Sequence, residues 1–129
     1  MVIGLGGLGS PRTLNPLLDG PDTAALDLIG GATFASAFGV DPAGGELRPE
    51  VLFEVPTREG GGVVARPDGT LEVTYRVAPD ARWADGEAIS AADLRFTYEV
   101  ATDPSLPIRR DVRAQYAAVV PGSVTADGL

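Results

Sequence analysis

Leu71-Glu72-Val73-Thr74-Tyr75-Arg76-Val77, followed by Arg82-Trp83-Ala84-Asp85-Gly86 and then Ser90-Ala91-Ala92-Asp93-Leu94, is the stretch whose reading decides the fold. Apolar Leu71, Val73, Tyr75 and Val77 alternate with Glu72, Thr74 and Arg76, and this period of two in β-branched and aromatic residues predicts a half-buried strand. Ala78-Pro79-Asp80 ends it, since Pro has no N–H for a ladder hydrogen bond. Asp85-Gly86 is a turn pair, in which Asp bonds local backbone and Gly supplies a positive φ. Ser90 then reads as a helix N-cap, with Asp93 as the acid three residues on. The unit is strand, Trp-bearing turn, capped element, and it contains no set of catalytic groups.

Outward from this unit, 129 residues are enough for one domain with a real core. A hydrophobic share of 44% with 22% charged residues is that of a globular chain, not a disordered one. The net charge is −8, and all ten basic residues are Arg. An acidic surface argues against nucleic acid and anionic membrane as partners. With neither Cys nor His, thiolate and imidazole catalysis and the usual zinc sites are excluded. The longest weakly apolar run, Leu28 to Val40, is too short to span a bilayer. Met1 leads into Val2-Ile3-Gly4 without the basic region of a signal peptide.

Val2 to Leu5 predicts a short buried first strand, and Gly4-Leu5-Gly6-Gly7-Leu8-Gly9 matches the G-x-G-x-x-G dinucleotide fingerprint. That motif works only when its last Gly opens a helix holding the pyrophosphate, and here Pro11 and Pro16 interrupt such a helix. No strand ending in an acid follows at the required distance. A strand followed by a Gly-rich loop is the preferred reading, and a nucleotide-binding enzyme built on Gly4–Gly9 is kept as an alternative. Thr13 to Leu18 is turn-prone, with Asp22 a candidate N-cap. Leu26, Ile29, Thr33, Phe34, Ala37 and Phe38 recur at three and four, predicting a helix from about Thr23 to Phe38 that Gly30-Gly31 weakens.

Asp41 to Gly45 is read as a loop, Val51 to Val55 as a short strand, and Glu59 to Gly62 as a flexible tip. Val63–Arg66 and Thr70–Val77 flank Pro67-Asp68-Gly69 with the spacing of a β-hairpin. After Ser90 two signals conflict. Leu94, Phe96, Tyr98 and Val100 alternate as in a strand, whereas the cap, the alanines and the Asp103-Pro104 stop predict a helix. Ile108, Val112 and Tyr116 suggest a short helix after Pro107, and Val119 to Thr125 the start of a strand that the end of the chain cuts short.

Taken together, these residues resemble bacterial extracellular solute-binding proteins of family 5, the peptide- and nickel-binding components of ABC importers. Val2-Ile3-Gly4-Leu5 with Thr13-Leu14-Asn15-Pro16 is similar to their mature start. Phe38 to Pro42 and Gly45 to Glu50 resemble the segment after their first helix. Val73 to Val77, then Trp83 to Leu94, resembles a strand leading to W-x-D-G and a Ser/Thr-Ala-x-Asp cap that opens a helix. The Val55-Pro56-Thr57 and Gly60-Gly61-Gly62 link departs from the pattern.

The resemblance implies an α/β chain forming the N-terminal part of a two-lobed, periplasmic-binding-protein-like (type II) fold. Residues 1–40 would begin lobe I, with first strand, ligand-side loop and helix. Residues 41–129 would form a strand-rich subdomain, cut short at its C-terminal end. The resemblance also implies a helix over Leu94–Val100. Its function would be capture of a peptide or similar small solute outside the cytoplasmic membrane, with an ABC permease as partner and no reaction catalysed. Neither cofactor nor metal is implied, and membrane attachment would be through a lipid anchor upstream of Met1. A β-rich interaction module complete in itself is the other alternative.

Leu18 to Thr23 corresponds to a loop bordering the cleft in that family, so Asp19, Gly20, Asp22 and Thr23 are the candidate ligand-binding residues. Exposed backbone there can pair with an extended peptide and give sequence-tolerant affinity. Trp83 is read as packing the subdomain core, with a ligand-stacking platform as the alternative. Asp85 is read as a turn carboxylate and Asp93 as a cap partner.

Overall fold

The structure is a computed structural model that describes residues 13–18 and 23–127, with only the backbone of Thr23. One helix, four short strands and two further helices follow in chain order: α1 Thr23–Thr33, β1 Phe38–Val40, β2 Leu47–Pro49, β3 Val63–Ala65, β4 Leu71–Val73, α2 Ala91–Thr102 and α3 Arg110–Gln115. The described residues fall into two units, one of 13–34 with 94–126 and one of 35–93 with 127. The predicted first strand, the Gly4–Gly9 motif and the Asp22 cap lie outside the described residues.

In the second unit, β1 pairs antiparallel with β2 in the register Phe38↔Pro49, and β3 with β4 in the register Val63↔Val73. The β3–β4 hairpin follows its turn chemistry. The Gly69 N–H donates to the Arg66 carbonyl at 3.0 Å, with Gly69 at φ 86°, and the Asp68 carboxylate accepts from the Thr70 N–H at 2.9 Å. This is a type I turn closed by a left-handed glycine. Trp83 to Glu87 repeats it: the Gly86 N–H donates to the Trp83 carbonyl, Gly86 has φ 93°, and Asp85 accepts from the Glu87 N–H at 3.0 Å. Asp85 is thus the turn carboxylate the sequence predicts.

The alternating stretch from Leu71 changes partner along its length. Leu71 to Thr74 bonds to the β3 side, then Arg76 to Ala78 bonds to Val51 and Phe53, where Leu52 bridges Val77. Val51 and Leu52 form the buried apolar pair of this unit. The predicted Val51–Val55 strand is reduced to that one bridge. Leu71, Val73 and Tyr75 remain exposed, so the expected half-burial is restricted to the Val77 end. Trp83 also corrects its prediction. It is 49% exposed rather than in the core, because a four-residue turn lifts it to the surface. At the Glu59–Gly62 tip the Gly61 N–H donates to the Arg58 carbonyl at 3.2 Å, and the Val63 N–H closes the loop on the Thr57 carbonyl at 3.0 Å.

The first unit has Ala25 and Leu26 of α1, Ala101 of α2 and Ile108 as its buried apolar residues. The alternating signal at Leu94–Val100 resolves as helix. Leu94, Tyr98 and Ala101, spaced at four and three, are turned inward, while Phe96 is 65% exposed. Tyr98 packs edge-on against Tyr116 with ring centroids 5.7 Å apart. The helix predicted from Thr23 to Phe38 ends at Thr33, because Phe38 is taken into β1 by pairing with Pro49. Val119 to Thr125 forms turns rather than a strand, the Ser123 N–H donating to the Val120 carbonyl at 3.1 Å.

Candidate functional site

Asp19, Gly20 and Asp22 lie outside the described residues, and Thr23 opens α1. What the structure does give is the chain on either side of them. Thr13 and Asn15 organise the approach: the Thr13 hydroxyl accepts the Asn15 N–H, and the Asn15 side-chain carbonyl accepts the Leu17 N–H, both at 3.0 Å. This is the local side chain to backbone bonding that suits Asn before Pro in a turn. Leu18 then pairs antiparallel with Ile108, and the Arg109 N–H donates to the Leu17 carbonyl at 2.9 Å.

Arg109 continues from there into a charged cluster. Its guanidinium donates to Asp27 on α1 at 3.1 Å and, through two nitrogens, to Asp111 on α3 at 3.1 and 2.7 Å. The hydrogen bonds from Arg109 hold the Asp111 carboxyl below the usual carboxylate range, and those to Asp111 first and Asp27 second stabilise the guanidinium as a cation. Nearby, Arg113 donates to the carbonyls of Asp103 and Leu106 at 2.7 and 2.6 Å, satisfying backbone acceptors beyond the end of α2.

The helix cap behind the Trp83 turn is charged as well. Asp93 accepts from both the N–H and the hydroxyl of Ser90 at 2.8 Å. These bonds, with the Ser90 N–H foremost, lower the Asp93 pKa. The Ser90 hydroxyl therefore spends its proton on the carboxylate, while the acid closes its half of the capping box. Asp68 and Asp103 are lowered in the same way, by hydrogen bonds from Thr70 and Ser105. All four lowered carboxyls are accounted for by turns, caps and an ion pair, none of which holds a proton for acid catalysis. Among the described residues no cluster of three or more metal-ligating side chains occurs, and no helix is long and apolar enough to cross a membrane.

The structure is similar to that of an oligopeptide-binding protein from Thermus thermophilus, solved in complex with a pentapeptide. The TM-score is 0.61 and the identity 27%, over 76% of this chain and 16% of that one. The chain thus spans about a sixth of the length of the protein it matches. No known protein family matches the sequence, and no curated protein does either. The likeness supports an α/β fold of the oligopeptide-binding kind, in the direction that the Val73–Val77, Trp83–Gly86 and Ser90–Asp93 motifs point.

Sequence reading missed Arg109. It follows Pro107-Ile108 in a run whose apolar spacing alone was informative, and the Asp27 partner is 82 residues away. Two adjacent arginines, Arg109 and Arg110, in an acidic chain were the one available signal.

Proposed function

We propose that the chain is part of the substrate-binding component of an ABC importer, taking up peptides outside the cytoplasmic membrane. The observation that carries this is the structural likeness, at 27% identity over 76% of the chain, to a protein whose structure holds a pentapeptide. Extended peptides suit such a protein, because backbone groups recognise them without regard to side chain. Binding is the whole of its chemistry in this reading, with two lobes closing on the ligand because the closed state binds it better. Delivery is to a permease, with a lipid anchor outside this chain holding the protein at the membrane. The ligand-side stretch is that of Asp19, Gly20, Asp22 and Thr23.

Incubation of the full-length protein with a pentapeptide pool, followed by native and denaturing mass spectrometry, separates binder from enzyme. A one-to-one complex with every peptide recovered at its original mass is expected. Cleaved or modified peptides would contradict a pure binding function.

A further inference from the structure

From Thr70 to Ala78 the backbone hydrogen bonds fall on one edge of the extended chain. The Arg66 N–H donates to the Thr70 carbonyl and the Thr74 N–H to the Gly62 carbonyl, both at 2.9 Å. Further along, the Phe53 N–H donates to the Arg76 carbonyl at 2.8 Å and the Ala78 N–H to the Val51 carbonyl at 2.9 Å. All of these are even-numbered positions of the strand, so Leu71, Val73, Tyr75 and Val77 direct their N–H and C=O groups to the opposite edge. No backbone hydrogen bond from the described residues reaches that edge. Leu71 to Arg76 are exposed without interruption, and no Pro stands among them. An open edge of this kind is a template for a further strand.

The sequence along this edge is complementary to itself. In an antiparallel pair of two copies centred on Thr74, Glu72 of each copy stands opposite Arg76 of the other, Leu71 opposite Val77, and Val73 opposite Tyr75. Opposite charges and aromatic residues facing β-branched ones are the cross-strand pairs that stabilise sheets. The same register brings the open groups of Leu71 to those of Val77 and the open groups of Val73 to those of Tyr75, so all are bonded together. Moving the centre to Val73 or Tyr75 loses both charge pairs, which specifies the register. Glu72 and Arg76 already meet Arg66 and Glu54 of their own copy, but their side chains are 51% and 70% exposed and accessible to a second partner.

We propose that the Leu71–Val77 edge is an interaction surface for a second copy of this chain, met antiparallel about Thr74. The contact is isologous, so it closes as a dimer rather than growing into a fibre. It stands independently of the peptide-binding reading.

Sedimentation of the full-length protein over a range of concentrations, with variants on this edge, is the test. A monomer–dimer equilibrium is expected. E72R and R76E each set like charges opposite one another and should weaken the dimer by about tenfold. An equimolar mixture of the two variants should dimerise like the parent, because each copy then meets the opposite charge. T74C adds a thiol to residues 1–129, which hold none, and should give a disulfide-linked dimer on mild oxidation, whereas E72C should not. Centring on Thr74 brings the two α-carbons to about 4.5 Å, within the roughly 4.4–6.8 Å that a disulfide spans. A parent that stays monomeric at every concentration overturns the proposal, as does a dimer that T74C does not link or that E72R leaves unchanged. A monomer whose Val73 and Tyr75 amides are protected from hydrogen exchange has this edge paired within its own chain, and that result overturns it as well.

Discussion

Asp93 shows how one carboxylate closes the start of a helix. It accepts two hydrogen bonds from Ser90, both at 2.8 Å, at the start of α2. Its folded pKa lies below the ordinary value of 3.8, so its contribution is complete above that value and is lost as pH falls through the lowered one. Asp93→Ala should destabilise by about 1 kcal/mol at neutral pH, the usual worth of a cap, and the deficit should shrink as pH falls below 3.8. Urea unfolding of both proteins across that range checks it, and a deficit independent of pH would contradict it. Two glycines make a sharper contrast. A Cβ on Gly31, inside α1, meets nothing within 4 Å, so Gly31→Ala should stabilise by about 0.5–1 kcal/mol. A Cβ on Gly62 would stand 3.0 Å from the Pro56 backbone and ring, so Gly62→Ala should cost about 1–3 kcal/mol. Thermal melts of the two variants should move in opposite directions.

At the scale of elements, turns were legible and burial was not. Pro67-Asp68-Gly69 and Ala84-Asp85-Gly86 carry their conformation in their own side chains and a left-handed glycine, and both turns form. The Ser90–Asp93 cap is local too, and α2 starts where it says. Leu94 to Val100 could not be settled by spacing, because apolar residues at 94 and 98 satisfy either period. The cap and the resemblance favoured the helix, and Phe96 is the residue left outside by it. The errors came from long-range pairing. The helical spacing through Phe34, Ala37 and Phe38 was real, yet β1 needs Phe38 extended opposite Pro49. Alternation at Leu71–Val77 correctly gave an extended segment, but what covers each face is set by other parts of a fold. Hence Leu52 packs at 3% exposure beneath one end while Leu71 and Tyr75 stand exposed at the other. Trp83 belongs to the same lesson, since it was read as core and stands half exposed at its turn.

At the scale of the molecule, the four carboxyls held below the ordinary range are engaged in turns, a helix cap and an ion pair. The candidate ligand residues Asp19, Gly20, Asp22 and Thr23 were chosen from a resemblance, and of these only Thr23, at the start of α1, lies within the described residues. Peptide capture is the central claim, and calorimetric titration of the full-length protein with a pentapeptide pool tests it most directly. The account predicts saturable one-to-one binding with a Kd of about 10 μM or tighter and a negative heat-capacity change from buried apolar surface. Absence of peptide binding, with saturable binding of NAD or ATP in its place, would contradict it.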